Sequence, residues 1–351
     1  MHLEVMKKMK KYIIPCPSVN QKETESLLSL NTRFEKLCEP KPLAKLAKKA
    51  AKVIPVQAKD MAAHIGETIT DQELYKLVME KLTSSFKDIQ ELAAKYTVPR
   101  KTIIKKIDRI VPDNEISDPS EFCLARSYDI SRLVSKFRDG GMVTAMTEGA
   151  ATGALGFAGL PFNIVFCTFI CFRTVQTVAT YYGYDVKNDP AELVIATEVF
   201  TSALSPSTAH SDEGTDLIGK IMAFAEIGAL KGVLAKPYAE MAAQGGIALL
   251  IVQLRALANA AAKKGLEQAG KKGLEESLFK GVFAQIGKGL SKKAVGRLIP
   301  GVSAAIGAAF DISQYKTVIT YADIFYNKRF LVEKEQNIEK LIGPPNDVII
   351  V

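Results

Sequence analysis

The chain has 351 residues, 48% hydrophobic and 24% charged, with a formal net charge of +8 and no tryptophan. Its mean hydropathy of +0.08 excludes a disordered chain. The charge content points to a folded protein with membrane contact, not a polytopic membrane protein, and the length allows one large domain or two smaller ones.

Residues 1–19 carry lysines, but only the short run Tyr12-Ile13-Ile14 precedes Pro15. That is too little apolar sequence for a signal-peptide core, so the segment reads as a flexible arm and the protein as cytoplasmic. Cys16, Cys38, Cys123, Cys167 and Cys171 form no CxxC pair, and His2, His64 and His210 lie far apart. The expectation is reduced thiols, no metal and no cofactor. A first helix fits residues 20–38. After Pro40 and Pro42, the segment PLAKLAKKAAKVIP sets Leu43, Leu46, Ala47, Ala50, Val53 and Ile54 on one helical face, with Lys45, Lys48, Lys49 and Lys52 on another. Thr70 and Glu73 make a capping box for a helix from Asp71 to Tyr96. Glu91 to Arg109 has the cadence of a helix-turn-helix, with a turn at Thr97-Val98-Pro99 and Arg100 and Lys101 opening the second helix. Its turn lacks glycine, and Ile103, Ile104 and Ile107 read as core, which weighs against nucleic acid. Asp118, Pro119 and Glu121 are the N-cap, N1 and N3 residues of a helix continuing to about Arg138.

The centre of the chain is Glu148 to Asp185. Between Glu148 and Arg173 it runs 24 residues without a charge, long enough for the roughly 20 residues that cross a bilayer core. Its first half is rich in Gly and Ala (Gly149, Gly153, Gly156, Gly159) and broken by Pro161, whereas residues 162–182 read as one helix. The reading is therefore an apolar helical hairpin whose glycines permit close helix packing. Glu148, Asn163, Arg173, Gln176, Tyr182 and Asp185 form a candidate polar clamp at its base, because a charge facing an apolar environment needs a partner. Thr177 lies beside them.

Asp189, Pro190 and Glu192 begin the next helix, and residues 205–214 read as a loop. Residues 36–59 hold seven lysines against one acid, and residues 263–297 nine Lys or Arg against three acids. The second block includes Lys288, Lys292, Lys293 and Arg297. Such blocks attract phosphate-bearing surfaces. No stretch before the terminal VIIV alternates with period two, so the fold class is all-α, a multi-helix bundle around the central Gly/Ala-rich hairpin. It divides into the arm, one helical domain over residues 20–335 (an N-terminal part to about 140, then the hairpin core from about 141) and a tail over 336–351.

At the hairpin the sequence resembles the EcsC protein family, named for a bacterial protein encoded beside an ABC transporter linked to secretion. The residues that carry the likeness are Glu148-Gly149, Gly153, Gly156, Gly159-Leu160-Pro161, Arg173, Gln176, Ala179 and Tyr182-Gly183-Tyr184-Asp185. Ile54-Pro55, Ile299-Pro300 and Arg329-Phe330-Leu331 add to it. The chain departs from the family pattern at Asn163, where an acid is frequent, and at Asp311, where Asn is usual. The resemblance implies an all-helical domain without established enzymatic activity. Together these readings lead to the expectation of a non-enzymatic protein peripheral on the inner membrane face, held to anionic lipid through its basic amphipathic helices and the apolar hairpin, with transmembrane insertion of the hairpin left open and a transporter or secretion component as protein partner. A soluble adaptor using the hairpin as core or interface is the alternative, as is a DNA-binding regulator through Glu91–Arg109. No oligomeric state follows.

Overall fold

The computed structural model describes residues 10–39, 71–140, 160–204, 206, 246–287 and 304–343. Among these residues all regular structure is helical: nine α-helices and one 3-10 helix. In chain order they are α1 (Gln21–Cys38), α2 (Asp71–Tyr96), α3 (Arg100–Asp108), η1 (Pro119–Leu124) and α4 (Ser127–Gly140), then α5 (Leu160–Tyr181), α6 (Pro190–Leu204), α7 (Gly246–Ala269), α8 (Leu274–Gly287) and α9 (Ala304–Ile342).

Helix α5 occupies the middle. Val165, Phe169, Ile170, Phe172, Val175, Val178 and Ala179 are all buried, so apolar side chains point to every side of the helix. A helix apolar all round is a core helix or a membrane span. Here it is core: α2, α6 and α9 pack along it. Rings from four helices interlock, with Phe169 4.9 Å from Phe279 and 5.5 Å from Phe86, and Phe172 5.5 Å from Phe200. Each such pair adds about 0.5–1.5 kcal/mol beyond its area. Among the described residues no helix is long and apolar enough to cross a membrane.

Helix α9 is the second spine. Its 39 residues extend about 58 Å at 1.5 Å per residue and touch α1, α4, α5, α6, α7 and η1. It continues past residue 335 into the segment read as a tail. The five cysteines carry no disulfide among the described residues, and Cys123, Cys167 and Cys171 are buried.

Two local expectations need correction. The helix starting at Asp118 does not run to Arg138. Asp118 and Glu121 make the expected capping box, but the turn is 3-10 and ends at Leu124, where Ala125 becomes extended (ψ 162°). The interruption has a cause: Arg126 donates to the carbonyls of Pro17 and Ser18, and the Ser127 amide donates to Glu23 at 2.8 Å. Those contacts draw the chain out of the helix before α4 restarts. Nor are residues 10–19 a loose arm. Lys10 and Tyr12 both reach Glu121, at 2.7 and 2.8 Å, and Ile13 exchanges two hydrogen bonds with Asn114. Burial together with the Glu121 contact pushes the Tyr12 hydroxyl up to about 12.

The YYGYD turn between α5 and α6 depends on its glycine. Gly183 has φ +90°, and a Cβ there would lie 2.8 Å from the Pro119 carbonyl oxygen. Gly183→Ala combines the left-handed penalty of about 1–2 kcal/mol with a backbone clash that moves η1. The expected loss is about 2–3 kcal/mol, read as a lower urea midpoint with unchanged slope; a midpoint equal to wild type refutes the packing described.

Candidate functional site: a cationic cleft and an exposed helix face

The predicted clamp residues divide between two places. Arg173, half-way along α5, donates from Nη1 to Glu275 at 2.8 Å and to Gln176 at 3.1 Å. Gln176 and Gln90 also donate to Glu275, each at 3.2 Å. The partner of Arg173 among the described residues is thus Glu275, in the first turn of α8, where the helix dipole favours a carboxylate. Glu275 stood in the sequence only as one acid inside a basic block. The Glu275-Glu276 pair ahead of the apolar LFKGVF run was the signal of a helix start that could have singled it out.

Asp185 ends the turn after α5. Arg100, the first residue of α3, reaches it at 2.7 Å and reaches Asp118 at 3.1 Å. Burial raises the Asp185 carboxyl, but Asn188 and the Arg100 charge outweigh it and hold the group below its ordinary range. Arg100, the residue best placed to read a base edge in the helix-turn-helix reading, is therefore committed within the protein, and Ile103 and Ile107 are buried. The turn itself lies where expected, from Thr97 to Pro99.

Tyr182 belongs elsewhere. Its hydroxyl donates to Asp323 at 2.7 Å, and Ser131 and Arg33 bond the same carboxylate at 2.9 and 2.8 Å. That node joins α1, α4 and α9 to the end of α5, so Tyr182 is a structural latch and not part of the clamp. Burial, then the Asp323 charge, push its hydroxyl well up. Glu148, Gly149, Gly153, Gly156 and Gly159 lie outside the described residues, as do Lys45, Lys48, Lys49, Lys52, Lys288, Lys292, Lys293 and Arg297. The side chain of Asn163 does too.

Arg173, Gln176, Glu275, Arg100 and Asp185 line one cleft of about 860 Å³. A second cavity of about 550 Å³ lies between η1, α6, α7 and α9. Its floor is an ion network: Arg329 is 1% exposed and grips Glu192 with two bonds of 2.8 and 2.9 Å, bonds Glu333 at 3.0 Å, and stacks 3.9 Å from the Tyr184 ring. Arg255 of α7 pairs with Glu192 and Asp189. Cys123 borders this cavity, but burial pushes its thiol up to about 12, which leaves it protonated and poorly nucleophilic near neutral pH.

Helix α7 presents a different surface. Ile251, Leu254, Ala258 and Ala262 face the core, while Val252 and Leu257 are 63% and 59% exposed. Ala256, Ala260 and Ala261 share the outer face, which ends at the exposed Lys263 and Lys264.

The described structure is thus a helical bundle built on an apolar central helix and fastened by buried ion pairs. Residues 19–331 match the sequence profile of the EcsC protein family, and the chain belongs to that family. No curated protein and no solved structure matches it.

Proposed function

We propose that this EcsC-family protein docks on the anionic surface of the inner membrane from the cytoplasmic side, and that it does so without catalysing a reaction. The observation that carries the reading is the outer face of α7. A helix that leaves Val252 and Leu257 more than half exposed, among alanines and the neutral polar Gln253 and Asn259 and beside two lysines, has the composition of a surface-lying amphipathic helix. Burying either large side chain contributes up to about 1.5–3 kcal/mol, and each lysine near an anionic surface about 1 kcal/mol. The two contributions are comparable, so both lipid insertion and charge are needed. The basic blocks at 36–59 and 263–297 point the same way. At such a surface the protein partner would be a membrane transporter or secretion component.

Co-sedimentation with vesicles tests this. Wild type is expected on phosphatidylglycerol vesicles and not on phosphatidylcholine vesicles, with recovery falling partially as salt rises. Val252→Asp with Leu257→Asp abolishes recovery, and Lys263→Gln with Lys264→Gln lowers it by about tenfold or more, two losses of about 1 kcal/mol each. Equal recovery on both vesicle types, or none on either, refutes the reading. A soluble adaptor would give the second result.

A further inference from the structure

We propose that the 860 Å³ cleft between α2, α5 and the α7–α8 turn is a binding site for a small organic phosphate monoester. The volume falls within the roughly 300–1,000 Å³ of small-molecule sites. Five cations line it, Arg100, Arg173, Lys187, Lys271 and Lys272, against the two carboxylates Asp185 and Glu275. Those carboxylates already serve the arginines: Asp185 holds Arg100, and Glu275 holds Arg173. Three positive charges remain. Lys187 comes from the α5–α6 turn and Lys271 and Lys272 from the α7–α8 turn, and none has an ion-pair partner among the described residues. Like charges gathered from two separate turns around one concavity repel one another, and a dianion between them relieves that repulsion.

The arginines add direction to this charge. Arg173 uses only Nη1 on Gln176 and Glu275, and its buried Nε has no hydrogen-bond partner. A guanidinium fixed through one nitrogen keeps donors for an oxyanion, and its planar fork of N–H groups suits phosphate. Gln90 and Gln176 are held by Glu275 on the same wall. The remaining lining explains why the ligand is an ester and not bare phosphate: Leu193, Leu266 and Leu274 give the cleft apolar walls. Those walls have nothing to offer an inorganic ion, while an organic group attached to the phosphate would contact them. The monoester can be a soluble metabolite or the headgroup of a lipid such as phosphatidic acid. The chemistry recognised is the same. The inference does not depend on membrane docking, because its lysines are not those of the α7 outer face.

The test is calorimetric titration of the full chain at low salt with glycerol 3-phosphate, and separately with dihexanoyl phosphatidic acid below its micelle concentration. Saturable binding below about 1 mM is expected for at least one, with affinity falling as salt rises. The triple variant Lys187→Gln, Lys271→Gln, Lys272→Gln alters exposed side chains only. It should keep the wild-type melting temperature and bind at least about tenfold more weakly. Tighter binding of the lipid analogue supports a headgroup as the source, and equal binding a soluble ester. Heats that show no saturation for either probe, or a triple variant that binds as wild type does, overturn the proposal. Val252→Asp with Leu257→Asp should leave this titration unchanged, so failure of membrane docking and failure of the cleft are read separately.

Discussion

Glu23→Gln is expected to destabilise the fold by about 3–5 kcal/mol, the cost of removing one partner from a buried ion pair. Glu23 and Lys334 are both 0% exposed and 2.7 Å apart, on α1 and α9. Arg126 adds a bond at 3.0 Å, and the amides of Ser127 and Asn20 donate at 2.8 and 3.1 Å. A single carboxylate therefore joins α1, α9 and the start of α4, and closes the capping box of α1. The amide of glutamine can replace some of these acceptors but leaves the ammonium of Lys334 buried without a counter-charge. Two opposing shifts meet here. Burial lowers the Lys334 ammonium more than Glu23 raises it, whereas burial raises Glu23 less than Lys334, Ser127 and Asn20 together lower it. Four donors around one carboxylate decide in favour of the charged acid.

The pH dependence has a definite sign. A carboxyl held below its unfolded value contributes stability that is complete above that value and lost as pH falls through the folded one. The gap between wild type and Glu23→Gln should therefore be widest above about pH 4.5, the ordinary value, and narrow on further acidification. Lys334→Met alone should cost less, because Glu23 keeps Arg126 and two amides. The double variant should cost less than the sum, with a coupling of about 1–3 kcal/mol. Urea unfolding at pH 7 and pH 4 measures all of this, and additivity of the two single variants refutes a pair that acts as a unit.

The class of fold was legible because it rests on local signals. Period-3.6 patterning and the absence of alternation specified helices, and the Asp-Pro-x-Glu device at 118 and 189 marked two starts that the structure contains. Helix α2 runs from Asp71 to Tyr96, the limits read from its sequence. The continuation of the Asp118 helix failed for a non-local reason, since the residues that bend the chain out at Ala125 are partnered more than 100 positions away. The site was legible in part. Arg173, Gln176 and Asp185 stood out as polar groups flanking an apolar helix, and they line one cleft. Tyr182, the first residue after α5 and rotated away from them, serves Asp323, 141 positions on. Its hydroxyl gave no hint of that distance. Glu23 and Lys334 are 311 positions apart, and each looks like an ordinary solvated charge until the fold removes its water. Arg329 was marked only through the family likeness of Arg329-Phe330-Leu331, with nothing to reveal its partner.

Arg329→Lys should lose nearly as much stability as Arg329→Met, about 3–5 kcal/mol, although it preserves the charge. The reason is geometry. Glu192 receives two parallel bonds from one guanidinium while the same group bonds Glu333 through Nε and lies flat 3.9 Å from Tyr184. An ammonium is a point donor; it can meet one carboxylate, has no planar face to lay on the ring, and leaves unfilled space in a site 1% exposed. Glu192 also carries Arg255, so the carboxylate ties α9 to α6 and α6 to α7. Removing Glu192 should therefore be worse than removing either arginine: Glu192→Gln leaves the buried Arg329 with Glu333 alone and Arg255 with Asp189 alone, so both junctions weaken together. Arg255→Met should cost least, because its side chain is 40% exposed and water replaces much of what it loses. The expected order of urea midpoints is wild type, Arg255→Met, then the Arg329 variants, with Glu192→Gln lowest. An Arg329→Lys protein within about 0.5 kcal/mol of wild type, the range of an inert surface change, would show that charge alone holds this junction and that the fork and the stack contribute nothing.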